Sequence, residues 1–408
     1  MKILFLTDNF PPEGNAPATR TFEHAIEWVR MGQKVTVITC APNFPEGKVF
    51  EGYKNSWLKK EKIQGINVWR VKTYIAANQG FIKRTLDFIS FMISSLFFGL
   101  FVRKVDVVIG TSPQFFTVVS AWLLAKLKRT LFIFELRDIW PASITAVGAM
   151  KQSLLIKILE KLELFLYSQA DLIISVTHSF KRELINRGVF ADKIKIVLNG
   201  VDLQKYSPLV EKDMAFSKKY DLDGMYVAGY IGTHGLAHSL DSIIEAAEIL
   251  KTEDDIKILF AGAGVERARL ENLVHQRSLS NVVMIPKQPK KNMQKIWSLC
   301  DVSVISLKDS PLFSKVIPSK IFESMAMGLP MIISVPPGEA TEIIQKENLG
   351  IVVPPENPNK ISEALLDLKT NKNSYNIFAK NNLKAANKFN RKNLAIEMLA
   401  HIKEIWKK

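Results

Sequence analysis

Short apolar runs bounded by turn residues alternate with segments of helical length along this chain, and the alternation occurs twice. In the first half the runs are Ile3 to Leu6, Val35 to Cys40, Val68 to Val71, Val105 to Ile109, Leu131 to Phe134, Leu172 to Val176 and Ile194 to Leu198. Amphipathic stretches such as Arg20 to Met31 and Leu154 to Ser168 lie between them. The second half repeats the pattern with Tyr226 to Ile231, Ile256 to Phe260, Val282 to Ile285, Val302 to Leu307, Met331 to Val335 and Ile351 to Val353. Runs that are apolar throughout suit strands covered on both faces by crossover helices, so the expected class is α/β with two doubly wound domains.

A length of 408 residues suits two such domains. The polar stretch from Ser207 to Gly224 has weak periodicity and marks the junction, giving expected domains 1–205 and 206–388. Leu394, Ile396, Leu399, Ile402 and Ile405 give 389–408 the spacing of a terminal helix that packs back onto the first domain. Ligands of open parallel sheets bind beyond the carboxyl ends of the strands, so the loops there, at a cleft between the domains, are expected to carry the chemistry.

The 55 Lys+Arg exceed the 40 Asp+Glu by 15, which admits an anionic membrane, a phosphorylated substrate or nucleic acid as partner. Nucleic acid is disfavoured, because the charge is spread over surface helices rather than interleaved with aromatics. Cys40 and Cys300 end or adjoin apolar runs and read as buried thiols, and the six histidines include no ligand pair at helical spacing, so no metal is expected. The N-terminal apolar run is too short for a signal-peptide core, which suggests a cytoplasmic chain. Phe88 to Val102 is uncharged, apolar and flanked by Lys83, Arg84, Arg103 and Lys104. It falls short of the roughly 20 residues needed to span a bilayer. One reading is a membrane-surface contact through Phe88, Phe91, Phe97, Arg103 and Lys104; the other is a helix buried against the sheets.

Three loops invite a functional reading. The turn from Pro11 to Arg20, with Gly14 and Asn15 before a helix, offers backbone N–H groups to an anion, or is a plain turn capped by Thr19. Arg137-Asp138 follows the strand at Leu131 to Phe134 and places a carboxylate for proton transfer or for a sugar hydroxyl. The bland alternative is a capping aspartate paired with its neighbour. In Pro318 to Pro330, Lys320 stands in the first turn of a helix, against the helix dipole, which points to an external diphosphate. Glu323, one turn on, is placed to accept from ribose hydroxyls; a surface salt bridge between the two is the alternative. Other patterns fail: Arg267 replaces the third glycine of a dinucleotide fingerprint in Ala261 to Arg267, and Asp221-Leu222-Asp223 reads as a turn.

Together these loops resemble glycosyltransferases of family 4, with the GT-B fold, over essentially the whole chain. The resemblance rests on Asn9 to Gly14, Asn199-Gly200-Val201-Asp202, Gly229-Tyr230-Ile231-Gly232 and Pro318 to Pro330. Arg137 to Pro141 with Ala146-Val147-Gly148, and Thr111 to Phe116, look most like bacterial O-antigen and capsule enzymes of the N-acetyl-L-fucosamine transferase type. The resemblance implies two Rossmann-like domains facing across a cleft, and a retaining, metal-independent transferase acting on a UDP-sugar, without cofactor. It implies a polyprenyl-diphosphate-linked saccharide as acceptor and the inner membrane surface as location. A UDP-N-acetylsugar 2-epimerase shares the fold and is the alternative.

In the family, a glutamate matching Glu323 binds the ribose. The family's first acid of that motif falls at Lys315, and its basic diphosphate pair falls near Thr233 and His238. The donor set implied is Gly14, Asn15, Thr233, His238, Lys315, Ser319, Lys320 and Glu323. Asp138 and Arg137 hold the catalytic position.

Overall fold

The computed structural model describes residues 1–44, 46–75, 81–142 and 153–407. They form two compact units, Met1–Leu198 with Arg391–Lys408, and Asn199–Asn390.

The first unit is built on an eight-stranded sheet. Its strands are β1 (Lys2–Leu6), β2 (Lys34–Cys40), β3 (Leu58–Ile63), β4 (Ile66–Val71), β5 (Val107–Thr111), β6 (Leu131–Leu136), β7 (Leu172–Ser175) and β8 (Ile194–Ile196). They lie in the order β3-β4-β2-β1-β5-β6-β7-β8. Every pair is parallel except β3 with β4. β3 escapes the apolar-run criterion because its Leu-Lys-Lys-Glu-Lys-Ile is an edge sequence, charged where a central strand is apolar. Its charges find local partners: Lys60 Nζ stands 4.1 Å over the Trp69 ring and Glu61 Oε1 accepts from Arg70 Nε at 2.6 Å.

The second sheet is parallel throughout and consists of β9 (Tyr226–Ile231), β10 (Ile256–Gly262), β11 (Val282–Pro286), β12 (Val302–Ser306), β13 (Met331–Ser334) and β14 (Gly350–Val353). Its order is β11-β10-β9-β12-β13-β14. The strand order reverses beside β1 in the first sheet and beside β9 in the second. Loops leaving the carboxyl ends of β1 and β5, and of β9 and β12, therefore border the natural ligand crevices of each unit.

The Arg391–Trp406 helix belongs to the first unit. It packs on the Ala16–Arg30 helix, where Trp28 Nε1 donates to the Ala395 carbonyl at 2.8 Å and Leu394, Met398, Leu399 and Ile402 join the core of Trp28, Phe5 and Val37. The units divide after Leu198 and after Asn390, against expected boundaries after 205 and 388. Arg20 fixes the first point by donating to the Val197 and Leu198 carbonyls, and Val201 N then donates to Phe389 O inside the second unit.

The apolar segment forms the Phe81–Leu100 helix. One face lies on the Phe115–Lys128 helix, with Ser95 Oγ 2.9 Å from Ser120 Oγ and Gly99 against Leu124. Phe91 is buried at 1% exposure, which removes it from the expected membrane contacts, since a side chain sealed in the core cannot reach a surface. Ile93, Phe97, Leu100 and Phe101 point outward, and Arg103 and Lys104 are exposed beyond them. No helix among the described residues is long and apolar enough to cross a membrane.

Leu399→Ala should lower the stability of the first unit by about 2–5 kcal/mol, as for other buried leucines, read as an earlier midpoint in a urea titration followed by Trp28 fluorescence.

Candidate functional site

At the carboxyl end of β9 the chain turns through Gly232-Thr233-His234-Gly235, held by Gly232 N to Ala261 O and His234 N to Ala263 O, both 2.9 Å. The Lys320–Met327 helix brings a lysine to the same place. Lys320 is only 6% exposed, and its Nζ lies 3.6 Å from the centroid of the Tyr230 ring without a hydrogen-bond partner. Gly232 is required there, because its φ is +148° and a Cβ would meet Lys320 Cε and Nζ at 3.3 Å. Burial pulls the Lys320 amine down to about 7, with Glu323 acting the other way. The salt bridge between Lys320 and Glu323 considered from sequence is not formed; Glu323 Oε2 instead accepts from Trp297 Nε1 at 3.2 Å.

Two imidazoles share this neighbourhood. His234 is fully buried with neither ring nitrogen bonded, and His238 Nδ1 is buried and unbonded. Their ring centroids are 5.9 and 6.0 Å from that of Tyr230. Burial holds His234 at about 4, helped by Arg267 and Lys320, and His238 at about 3, helped by Lys320. Tyr230 is anchored by its hydroxyl to the Thr233 carbonyl at 2.7 Å, while the Thr233 side chain is on the exposed turn. His234 was not among the residues expected from sequence. The signal was its place one residue after Thr233 in the loop that follows β9.

Ser319 occupies the N-cap position of the Lys320–Met327 helix without a side-chain capping bond, so it leaves the first-turn amides uncapped by its hydroxyl. Lys315 ends the Phe313–Lys315 turn. A buried, unbonded lysine amine, the unbonded His234 imidazole, the unbonded His238 Nδ1 and a helix N-terminus form an arrangement suited to an anion.

The first unit presents a second cluster beyond β1, β5 and β6. The Asn15 carboxamide caps the first helix by accepting from Ala18 N at 3.1 Å and donates to Asn9, so Asn15 rather than Thr19 is the cap. Gly14 is exposed beside it, and the Glu13 carboxylate beneath accepts from the backbone of Phe10, Asn43 and Phe44. Arg20 and Glu135 make a buried ion pair at 2.8 Å. The Arg137 Nε and Nη1 atoms are buried with no hydrogen-bond partner, and burial draws that guanidinium down to about 10, with Glu135 opposing. Burial raises Asp8, against the pull of the Asn9 side chain. Ser112 Oγ accepts from the Arg137 and Asp138 amides, fixing where that pair leaves β6. Ala146-Val147-Gly148 lie outside the described residues. Among the described residues no group of three or more His, Cys, Asp or Glu is placed to hold a metal.

Residues 18–205 match the family described as Glycosyltransferase Family 4 and residues 214–385 match Glycosyl transferases group 1. The chain is 29% identical to the colanic acid biosynthesis glycosyl transferase WcaI of Escherichia coli K12, over 80% of this chain and 82% of that one. Among solved structures, sucrose-phosphate synthase of Thermosynechococcus elongatus superposes with a TM-score of 0.78 at 15% identity, covering 100% and 99% of the two chains. HepE of Anabaena, in complex with UDP and glucose, gives 0.73 at 15%, covering 99% and 100%. The fold is GT-B. The chain carries glycosyltransferase domains of family 4 and group 1, homologous to those of the colanic acid glycosyltransferases.

A lysine whose folded value lies below its unfolded 10.5 costs stability as pH falls from about 10.5 toward 7, since the unfolded chain binds the proton more readily. Lys320→Met should therefore stabilise the second unit at pH 7 by about 1–4 kcal/mol, with the gain vanishing near pH 11, as measured by denaturant titration across that range.

Proposed function

We propose that this chain is a retaining, metal-independent transferase of hexosyl or N-acetylhexosaminyl groups that takes its sugar from a UDP-sugar. UDP-N-acetyl-L-fucosamine, or a related N-acetylated sugar, is the donor we infer, and a polyprenyl-diphosphate-linked saccharide the acceptor. The product belongs to an O-antigen, capsule or other exopolysaccharide, including lipopolysaccharide, assembled at the inner face of the cytoplasmic membrane. The observation that carries the donor reading is the Lys320 amine, buried and unbonded over Tyr230 at the strand-order reversal of the second sheet. The names of the relatives support it: WcaI is named for colanic acid biosynthesis, and HepE was solved with UDP and glucose.

The chemistry follows from these groups. As UDP departs, negative charge grows on its diphosphate while the sugar gains oxocarbenium character. Lys320 and the first-turn amides stabilise the former, and Glu323, oriented by Trp297, accepts from the ribose hydroxyls. His238 and the turn at Thr233 border the same anion, with Ser319 and Lys315 on the approach to the helix. In the first unit the turn at Gly14 and Asn15 is the candidate anion-facing loop. Asp138, with Arg137 beside it, accepts or orients the acceptor hydroxyl proton.

Calorimetry with UDP tests the donor site. Lys320→Ala and Glu323→Ala should each weaken UDP binding by at least about tenfold, the worth of a charge-assisted hydrogen bond; unchanged affinity in both removes the proposal. The membrane partner rests on the outward Phe97 with its apolar neighbours, the half-buried Phe88, and the exposed Arg103 and Lys104. Flotation with anionic liposomes at low salt should carry the protein upward, and Phe97→Ser with Arg103→Glu should leave it at the bottom. Wild-type protein that stays at the bottom refutes the membrane partner.

A further inference from the structure

The side chains around Tyr230 differ from those of an ordinary anion site. Anions are usually met by permanent charge, such as arginine, or by ammonium groups that keep contact with water. Here the ammonium is 6% exposed and has no hydrogen-bond partner. An isolated charge so placed is costly, and a buried lysine relieves that cost by shedding its proton.

The groups facing Lys320 offer little to hold the charge. From β9 comes only the Tyr230 ring face, whose quadrupole is a partial compensation. The loop after β9 adds Gly232 and the two imidazoles, which carry no negative charge. Arg267 adds positive charge on the His234 side. From its own helix comes Glu323, close enough to favour the ammonium but bonded to Trp297. From β12, Ser306 Oγ is spent on the His238 carbonyl at 2.6 Å.

We propose that this site gains its positive charge on occupation: Lys320 stands neutral when the site is empty and takes up a proton from solvent as the diphosphate of a nucleotide enters. His234 serves throughout as a neutral N–H donor, while the His238 ring spends its N–H on the Ser306 backbone. The inference rests on the donor reading given above. The proton balance is one H⁺ from buffer onto Nζ for each diphosphate bound, and no covalent bond of the ligand changes. Burial that holds the amine near 7 fits this sequence of events, and the incoming anion supplies the missing counter-charge. Affinity for the diphosphate then falls as pH rises above about 7, by more than about tenfold between pH 7 and 9.

The test is calorimetry of UDP binding to the full chain at pH 8, in phosphate and in Tris, whose ionisation enthalpies differ widely. The terminal phosphate of UDP, with its second pKa near 6, is already deprotonated there, so uptake reports on the protein. The expected result is uptake of about 0.5–1 proton per UDP in wild type and near zero in Lys320→Arg, whose charge is permanent. Titration of ε-¹³C-labelled lysine, assigned with Lys320→Met, reads the same event directly: a midpoint near 7 without UDP that moves above about 9 with it. Binding of UDP without proton uptake, uptake that persists in Lys320→Arg, or a free-state midpoint above about 9 overturns the inference and leaves the donor site standing. Failure of the wild-type chain to bind UDP overturns the donor reading itself.

Discussion

The guanidinium of Arg20 is wholly buried, and it reaches two other parts of the first unit. Its Nε bonds Glu135 on β6, and its terminal nitrogens bond the Val197 and Leu198 carbonyls where the chain leaves β8. Burial alone would raise the Glu135 carboxyl, but the Arg20 and Arg137 guanidiniums outweigh it and hold the carboxyl below its ordinary range. Removing one partner of such a pair leaves an uncompensated charge in the core, at a cost of about 3–5 kcal/mol. The pair thus ties the first helix to the middle of the sheet and to the exit of its last strand. Ser112 N also bonds the Glu135 carbonyl, and Ser112 Oγ holds the Arg137 and Asp138 amides, so the loops beyond β5 and β6 inherit their positions from it.

The two units bury basic side chains in opposite ways. Arg20 has an acceptor on each of its three nitrogens and serves architecture; Lys320 has an aromatic face and no acceptor, which makes the folded state less stable than it would be with an apolar residue there. Strain of that kind is expected where a ligand supplies the missing partner.

Both sheets were legible in the sequence because a parallel strand covered on two faces is apolar along its length, and every such run, from Ile3 to Ile351, became a strand. β3 was not legible, since Lys59, Lys60 and Lys62 carry the signature of a solvated loop as readily as of an edge strand. Lys320 and Glu323 could be singled out because a first-turn lysine offends the helix dipole. The burial of His234 was not legible, because it depends on Phe260 and Tyr230, which meet it only once β9 and β10 pair. Phe91 and Phe97 were indistinguishable by composition. Their separation into core and surface came from the Phe115–Lys128 helix, a partner that periodicity does not name.

The Arg391–Trp406 helix has a consequence for how the molecule comes into being. Its Leu394, Met398, Leu399 and Ile402 fill the same core as Trp28, so the first unit to be synthesised lacks part of its interior until the second unit has been made. The second unit is continuous from Asn199 to Asn390 and is complete in sequence before that helix appears. On the ribosome, the order of completion is therefore the reverse of the order of translation: the unit begun first closes last, over an apolar face that stays open while its neighbour is made.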